Sequence, residues 1–367
     1  MRVLVTGGCG FIGRHVVQEL LDQAHAVRVL DAMIEQVHNG DQPALPAEVE
    51  LLEGDVRDRQ LVTEALSGVD AVVHLAAEVG VGQSMYEIAR YVGANDLGTA
   101  VLLEAMLGIP ISRIVVASSM SVYGEGLYAD AAGNRLGDVR RSPGTIRAGR
   151  WNPLGENGVE LLPVPTDESK PVDLASIYAL TKYAQEREVL IYGEAYGVDA
   201  VALRLFNVFG PGQALSNPYT GVLANFASRL ANGQRPMIFE DGEQQRDFVH
   251  VRDVARAFRL ALEHPEASGE VINIGGGEPY AIREVAELLA AAMGVPELGP
   301  EIMQKARSGD IRNCFADIGK ARRLLGYEPR FRLQDSLSEI VEWVRGAEAI
   351  DRGADMKREL EARGLVS

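Results

Sequence analysis

Short apolar runs alternate with helical patterns along the first half of the chain, and the runs are mostly apolar throughout rather than alternating with polar residues. This pattern is typical of parallel strands that are covered on both faces. The alternation predicts an α/β fold with a Rossmann-type doubly wound parallel sheet. Strands are predicted at 3–5, 27–30, 49–52, 71–75, 114–117 and 200–205, and helices near 12–23, 58–67 and 85–107.

The pattern changes after residue 206, where a turn-rich segment over 206–212 contains Gly-Pro-Gly as a breaker. The patterns beyond this segment predict a smaller C-terminal α/β lobe. We therefore divide the chain into a first domain, 1–206, a second lobe formed mainly by 207–347, and a charged tail, 348–367, that is expected to be a loosely held helix. Helices are predicted near 219–232, 250–263 and 281–293, and strands near 237–240 and 271–274.

Residues 125–172 form an insertion in the first domain, rich in Gly, Pro, Arg, Asn and Asp, in which apolar periodicity fades. Connections this long are uncommon in compact domains and are usually functional or disordered. Two interpretations remain open, a surface excursion and a lid or interface element beside an active site.

Composition limits the classes of function. The chain has 367 residues, 47% of them hydrophobic, and a net charge of −16, which argues against nucleic-acid binding. Two cysteines, Cys9 and Cys314, are too few for a disulfide framework or a zinc site. The chain opens directly on a strand pattern, so we expect no signal peptide. No apolar run is long enough to span a membrane. We expect a cytoplasmic protein that does not associate with a membrane and binds no metal.

A glycine-rich loop directly follows the first predicted strand and opens a helix. Such a loop allows a tight turn and close approach of the backbone to a pyrophosphate, next to the N–H groups of a helix N-terminus. This context makes the motif informative as a dinucleotide site, whereas a mere tight turn is the alternative. The residues assigned to the cofactor here are Gly7, Gly10, Phe11, Ile12 and Gly13.

Acidic and small residues follow the next strands at the same edge of the sheet. Asp31 ends the second strand, where a carboxylate accepts ribose hydroxyls and repels a 2′-phosphate, so NAD is preferred over NADP. Asp55 and Val56 follow the third strand, either beside adenine or with Asp55 as a helix N-cap. The fourth strand ends at the ligand-binding edge with Leu75, Ala76 and Ala77.

Tyr178 and Lys182 stand four residues apart in the segment Ser-Ile-Tyr-Ala-Leu-Thr-Lys. On a helix both lie on one face, where a cation beside a phenol favours the phenolate. Together with the cofactor loop, the pair predicts a nicotinamide-dependent enzyme acting on a carbonyl or alcohol. The alternative is an amphipathic helix with an incidental lysine.

With these residues assembled, the chain resembles the extended short-chain dehydrogenases/reductases and, within them, the NAD-dependent nucleotide-sugar epimerase/dehydratase family. The resemblance covers roughly residues 1–345 without the insertion. It is nearest to nucleotide-sugar 4-epimerases of the UDP-glucose or dTDP-L-rhamnose type, through the insertion and the segment 214–221. It depends on the segments VLVTGGCGFIG, HLAAEVGVGQS, VVASSMSVYGEG, SIYALTK, LRLFNVFGPGQ, EDGEQQRDFVHVRDV and RSGDIRNCFADIGKARRLLGY.

The resemblance implies a set of roles. Ser119 would hydrogen-bond the reacting sugar oxygen, with Ser121 as a second candidate; Tyr178 would be the catalytic base and acid; and Lys182 would bind the nicotinamide ribose and lower the pKa of the tyrosine. Asn95 would lie on the cofactor side. The substrate-binding positions implied are Asn207 and Arg246 for the diphosphate, Arg307 and Asp310 around the nucleotide ribose and phosphates, and Cys314 at the sugar pocket. The alternative for Cys314 is a small apolar residue of the core.

Departures from the family pattern narrow the reaction. Sugar-nucleotide 4,6-dehydratases carry an Asp-Glu pair just before Val-Tyr-Gly, where this chain has Met120 and Ser121, and related decarboxylases usually place a Glu at the second position. The expected reaction is therefore reversible 4-epimerisation of a UDP- or dTDP-hexose, by transient oxidation at C4. The alternatives are a nucleotide-sugar decarboxylase, dehydrogenase or dehydratase, and a non-catalytic NAD-binding sensor. A homodimer is expected from the family.

Overall fold

The computed structural model describes residues 1–38, 45–215, 221–306, 310–346, 358 and 361–364. The strands are β1 Arg2–Thr6, β2 Ala26–Asp31, β3 Glu50–Glu53, β4 Ala71–His74, β5 Arg113–Ser119, β6 Leu127–Ala129, β7 Arg135–Leu136, β8 Leu162–Val164, β9 Asp199–Leu205, β10 Asn207–Phe209, β11 Met237–Ile238, β12 Gln245–His250, β13 Val271–Ile274, β14 Pro279–Ala281, β15 Glu301–Ile302 and β16 Asn313–Cys314. The α-helices are α1 Phe11–Asp22, α2 Glu35–His38, α3 Arg59–Ala65, α4 Val81–Ser84, α5 Ile88–Val92, α6 Gly98–Met106, α7 Pro143–Arg147, α8 Ile177–Tyr196, α9 Val222–Ala231, α10 Val251–Glu263, α11 Ile282–Ala292, α12 Gly319–Leu325 and α13 Leu333–Gly346.

A seven-stranded parallel sheet forms the centre of the fold, in the order β13-β9-β5-β4-β1-β2-β3. All six strands predicted for the first domain are present. The strand order reverses between β1 and β4, and in such sheets ligands bind outside the carboxyl ends of the strands at this point. The strands carry Val, Leu and Ile on both faces because helices cover each face of the sheet. The predicted Rossmann-type fold class is thus confirmed.

The strand at 271–274 lies elsewhere than predicted. The sequence pattern assigns it to the second lobe, but β13 pairs with β9 at the edge of the central sheet. The helix before it, α10, packs against α1 on the same sheet. The chain therefore returns to the first domain after leaving it at 206, which apolar periodicity alone does not reveal.

A smaller group of elements is formed by the chain between β9 and β13 and by the chain after β13. β12 pairs with β10, β14 and β16, and helices α9, α11 and α13 enclose a separate apolar core. The segment 206–212, predicted as a turn, contains strand β10 before its Gly-Pro-Gly. The charged tail predicted from 348 lies mostly outside the described residues.

Two further stretches differ from the structure that their sequences suggest. The predicted helix at 85–107 is three pieces, α5, a π-helical turn over Gly93–Leu97, and α6. The insertion contains the three-stranded antiparallel sheet β7-β6-β8 and helix α7, with Tyr128 and Leu161 in a small core of their own. Among the described residues, no helix has the length and apolar character needed to cross a membrane.

Candidate active site

The glycine loop lies between β1 and α1 in contact with the end of β4. Gly7 has a positive φ of 71°, and a Cβ there would lie 2.9 Å from the backbone nitrogen of Ala76. A Cβ on Gly13 would lie 2.2 Å from the carbonyl oxygen of Gly7. Gly10 precedes α1 and has no side chain with which to cap it, so the first N–H groups of the helix are left to bind an anion. The loop thus fits the pyrophosphate of a dinucleotide.

Asp31 lies at the carboxyl end of β2 beside this loop. Its carboxylate accepts hydrogen bonds from the backbone N–H groups of Cys9 at 2.9 Å and Met33 at 3.0 Å. These bonds fix the carboxylate next to the cradle and leave further lone pairs for ribose hydroxyls. Arg28 points away from it, donating to Glu50 at 2.8 Å. The Asp31 carboxylate, with the His38 ring 3.5 Å from it, disfavours a 2′-phosphate at this position.

Asp55 does not take the N-cap position that is the alternative to its cofactor role. The N-cap of α3 is Asp58, whose side chain accepts from the backbone N–H groups of Gln60 and Leu61. Asp55 instead forms an ion pair with Arg57 at 2.5 Å, which holds the pKa of its carboxyl below the ordinary value. Val56 is buried against α6. Both stay candidates for the adenine side of the cofactor.

Asn95 lies in the protein interior rather than on an open surface. Its side chain is fully buried and bonds Glu78 through both the N–H, at 2.7 Å, and the carbonyl, at 3.2 Å. It also donates to Thr181 Oγ1 at 2.9 Å. The amide therefore links the chain after Ala77 to α8, which is a positioning role, and its contact with the cofactor stays a prediction.

Tyr178 and Ser119 meet where α8 crosses the end of β5. Ser176 caps α8 by accepting from Ala179 N, and Ser84 Oγ accepts from Tyr178 N at 3.0 Å. A hydrogen bond with Ser119 lowers the pKa of the Tyr178 phenol, but burial outweighs it and keeps that pKa above the ordinary value. Ser119 also receives hydrogen bonds from Ser121, through N–H at 3.2 Å and hydroxyl at 3.0 Å.

Lys182 is buried one turn further along α8. Its ammonium donates to Gln185 Oε1 at 2.6 Å, and burial lowers its pKa to about 7, against the raising effect of Glu186. The sequence predicts that this cation lowers the phenol pKa. The two side chains share a helix face, yet the phenol pKa is raised, because desolvation is its largest influence.

A buried polar network surrounds Lys182, and the sequence patterns did not identify it. Gln185 donates to Thr99 Oγ1 at 2.9 Å and lies 3.2 Å from His74 Nε2. Burial lowers the pKa of His74 to about 3, with Lys182 as the lesser cause, so the ring is neutral at physiological pH. The signal available in the sequence was the spacing of Gln185, three residues after Lys182 on one helix.

Among the described residues, the predicted substrate residues of the second lobe lie on β10, β12, β16 and the segment just before β16. Asn207 donates to the Asp247 carbonyl at 3.0 Å and contacts Met120 Sδ at 3.6 Å, which places it beside Ser119. Arg246 donates to the carbonyls of Ile311 and Arg312, so it joins the segment that carries Asp310. Arg307 and most of the segment 214–221 lie outside the described residues.

Cys314 follows this segment in β16, paired in register with Arg246. Its thiol is buried, contacts Thr166 Oγ1 at 4.0 Å and has its pKa raised by burial to about 12. Cys9 in the glycine loop is buried as well, and both cysteines are free thiols. Neither thiol is set up as a nucleophile.

The fold and this site together define a dinucleotide-dependent enzyme with a serine–tyrosine–lysine arrangement. The chain matches the NAD dependent epimerase/dehydratase family over residues 3–139 and 155–275. It is 36% identical to the dTDP-L-rhamnose 4-epimerase of Burkholderia thailandensis over 358 residues, 96% of each sequence. The chain belongs to the NAD dependent epimerase/dehydratase family, and NAD is its cofactor.

Solved structures agree with this assignment. The UDP-glucose 4-epimerase of Thermotoga maritima, determined with UDP-glucose, superposes with a TM-score of 0.77 at 31% identity, covering 94% of this chain and 99% of that chain. The UDP-glucose 4-epimerase of Thermus thermophilus in complex with NAD gives a TM-score of 0.76 at 31% identity, covering 95% of this chain and 100% of that chain.

Proposed function

We propose that this protein catalyses the reversible 4-epimerisation of a nucleotide-activated hexose, a UDP- or dTDP-sugar. The main support is the pairing of Tyr178 with Ser119 beside the cofactor cradle, while Met120 and Ser121 occupy the positions where a dehydratase has its Asp-Glu pair. Its relatives named as dTDP-L-rhamnose and UDP-glucose 4-epimerases support the same reaction.

Proton transfer at the sugar O4 is the part of the reaction that these side chains perform. When bound, NAD supplies a reversible hydride acceptor for C4. Tyr178 removes the O4 proton through the Ser119 hydroxyl and later returns it. Ser121 holds that hydroxyl in place, at 3.0 Å. Lys182 lies on the same face of α8, where its side chain would bind the nicotinamide ribose.

The second lobe, 207–347, is proposed to bind mainly the nucleotide. Asn207 and Arg246 would hold the diphosphate, and Asp310 would lie near the ribose. The buried Cys314 side chain would bound the sugar pocket and leave room for a bulky hexose. Binding through the nucleotide holds the substrate while the sugar ring stays free to turn and present its other face.

We further propose a homodimer that uses α8, in a reducing cytoplasm. Leu180 and Ile191, which lie on one face of this helix about three turns apart, and Leu97 in the π-helical turn that packs against it are exposed by 45%, 55% and 54%, and large apolar side chains exposed on one side of the protein suit an interface. The two free thiols suit a reducing compartment. Light scattering coupled to size-exclusion chromatography tests the dimer, and a monomeric mass would contradict it.

The proposed reaction is tested by Tyr178→Phe, with Tyr183→Phe on the same helix as the matched control. Removing the catalytic hydroxyl should lower kcat for 4-epimerisation by about 10²–10⁴-fold, whereas the control should retain native turnover. Near-native activity of Tyr178→Phe would contradict the assignment. Net accumulation of NADH during turnover of the native enzyme would instead favour a dehydrogenase or decarboxylase.

A further inference from the structure

Arg141 belongs to the insertion but reaches a loop that is distant in sequence. Its side chain is only 4% exposed and lies between two carboxylates, donating to Glu125 Oε1 at 2.9 Å and to Glu240 Oε1 at 2.6 Å. The same guanidinium donates to the carbonyl oxygen of Asp310 at 2.6 Å. A residue of the insertion thus fixes the backbone of the segment 310–313.

Three consecutive carbonyls of this segment are bound by two guanidinium groups. Arg141 binds the carbonyl of Asp310, and Arg246 binds those of Ile311 and, at 3.0 Å, Arg312. On the other side, Glu125 accepts from the N–H groups of Arg312 and Asn313. The segment is therefore held along both edges, and its carbonyls in turn fix the orientation of Arg246.

A second contact ties the insertion to the same segment. Arg312 is buried and donates to Asn152 Oδ1 at 2.8 Å, to Glu240 at 3.1 Å and to Asp241 at 2.6 Å. Glu240 lies at the junction of both arginines, fully buried and at a positive φ of 56°. Buried charges of both signs are tolerated only when well paired, so the network has little freedom to rearrange.

Arg141 and Asn152 lie outside the part of the chain that matches the family. The match to the family stops at 139 and resumes at 155. The intervening stretch carries Arg141 and Asn152, together with the buried Trp151, whose carbonyl accepts from Arg141 at 3.4 Å. Two side chains of this unmatched stretch, Arg141 and Asn152, thus bind the segment 310–313 of the second lobe, and Arg141 also binds Glu240.

We propose that Arg141 is a positioning residue for nucleotide recognition, and that Arg141 and Asn152, the two residues of the stretch 140–154 that bind the segment 310–313, set the affinity of the enzyme for the nucleoside diphosphate part of its substrate. This inference rests on the proposed function, because it takes Arg246 as a ligand of the diphosphate. By holding the Asp310 carbonyl, Arg141 fixes the segment that orients Arg246. The chemistry at C4 occurs elsewhere, at Ser119 and Tyr178, and does not depend on this contact.

The test compares Arg141→Lys with the control Arg140→Ala in the full-length protein. Lysine keeps a positive charge between the two carboxylates, but one ammonium cannot reproduce the fork that spans Glu125, Glu240 and the Asp310 carbonyl. Arg140 is adjacent, has a side chain that is 74% exposed, and forms its ion pair with Asp173, away from this network. UDP and dTDP are titrated calorimetrically into each protein, and the kinetics of 4-epimerisation are measured in parallel.

Arg141→Lys should weaken binding of the preferred nucleotide and raise KM by about tenfold, with kcat within about twofold of native and NAD affinity unchanged. Arg140→Ala should bind as the native protein does. Asn152→Ala, which removes one of the three side-chain partners of Arg312, should show a smaller loss in the same direction, and it replaces Arg141→Lys in the test if that variant does not fold.

Three results would overturn the inference. The first is native nucleotide affinity in Arg141→Lys, or in Asn152→Ala if the lysine variant does not fold. The second is a fall in kcat or in NAD affinity equal to the fall in nucleotide affinity, since that would indicate a general loss of structure. The third is the absence of UDP and dTDP binding by the native protein, which would overturn the proposed function itself.

Discussion

The ammonium of Lys182 donates a 2.6 Å hydrogen bond to the side-chain oxygen of Gln185, inside the protein and on the same helix. The amide nitrogen of Gln185 is in turn held by Thr99 and faces the neutral ring of His74. Gln185 therefore determines where the buried ammonium lies. In the proposed function, this ammonium binds the nicotinamide ribose.

Replacing Gln185 should disturb the cofactor site. Gln185→Met keeps the length of the side chain but removes the acceptor for Lys182, and a hydrogen bond to a buried charge is worth about a tenfold change in affinity. We expect NAD affinity to fall by about that factor, measured by titration of the purified protein. Arg187→Ala, on the exposed side of the same helix, is the control. Equal affinities for NAD in the two variants would contradict the role of Gln185.

Asp31 should determine the preference for NAD over NADP. Asp31→Asn removes the charge that repels a 2′-phosphate. It keeps one of the two oxygens that accept from the Cys9 and Met33 N–H groups and loses the other, a loss that weakens NADH and NADPH binding alike. We expect the ratio of the affinities for NADH and NADPH, each measured by titration, to fall by about tenfold. Asp22→Asn, at the far end of α1, should leave it unchanged. A variant that discriminates as strongly as the native protein would show that another group excludes the phosphate.

Gly13 should not tolerate a side chain. A Cβ at this position would overlap the carbonyl oxygen of Gly7 and lie 2.6 Å from the Cα of Gly8, so Gly13→Ala must displace the cradle. NAD affinity should fall by about ten- to a hundredfold, as overpacking of this kind usually costs. Gly144→Ala, where the nearest atom is Ser142 Oγ at 3.7 Å, should bind NAD normally. Full retention of NAD by Gly13→Ala would refute the assignment of the loop.

Glu188 and Asp96 should make stability depend on pH. Burial raises the pKa of Glu188 to about 7, aided by the charge of Asp96, whose own pKa burial raises to about 6. Each carboxyl has a buried oxygen without a hydrogen-bond partner among the described residues. The folded state then holds protons that the unfolded chain releases above about pH 4.5. The free energy of unfolding should therefore fall as the pH rises from about 4.5 through about 7.

Glu188→Gln should remove much of this dependence. The variant should melt at a higher temperature than the native protein at about pH 8, and the difference should shrink towards about pH 5. Scanning calorimetry between about pH 5 and about pH 8 measures the melting temperatures of the variant and of the native protein. Glu194→Gln, an exposed change on the same helix, provides the control. A difference in melting temperature that stays constant or grows as the pH falls would contradict the raised pKa of Glu188.

The sequence predicted the parts of the site that depend on local rules. Gly7, Gly10 and Gly13 identify a loop through backbone geometry, and Tyr178 and Lys182 identify a helix face through spacing. Both rules act within a few residues. The strands of the central sheet were predictable for the same reason, because continuous apolar runs indicate strands buried on both faces.

The rest depended on contacts between residues that are far apart in sequence. Nothing near Arg141 indicates that its partners are Glu240 and Asp310, and nothing near 271–274 indicates that this strand joins the central sheet. Desolvation is also invisible in a sequence. For that reason the spacing of Lys182 predicts a lowered pKa for Tyr178, whereas burial raises it.

The most direct test of the proposed reaction is proton NMR of the purified protein with a panel of UDP- and dTDP-hexoses in deuterated water. The account predicts conversion of one sugar to its 4-epimer without incorporation of deuterium into the ring, because the hydride that leaves C4 returns to C4. Deuterium at C5, or loss of the oxygen at C6, would show dehydratase or 5-epimerase chemistry and contradict the account.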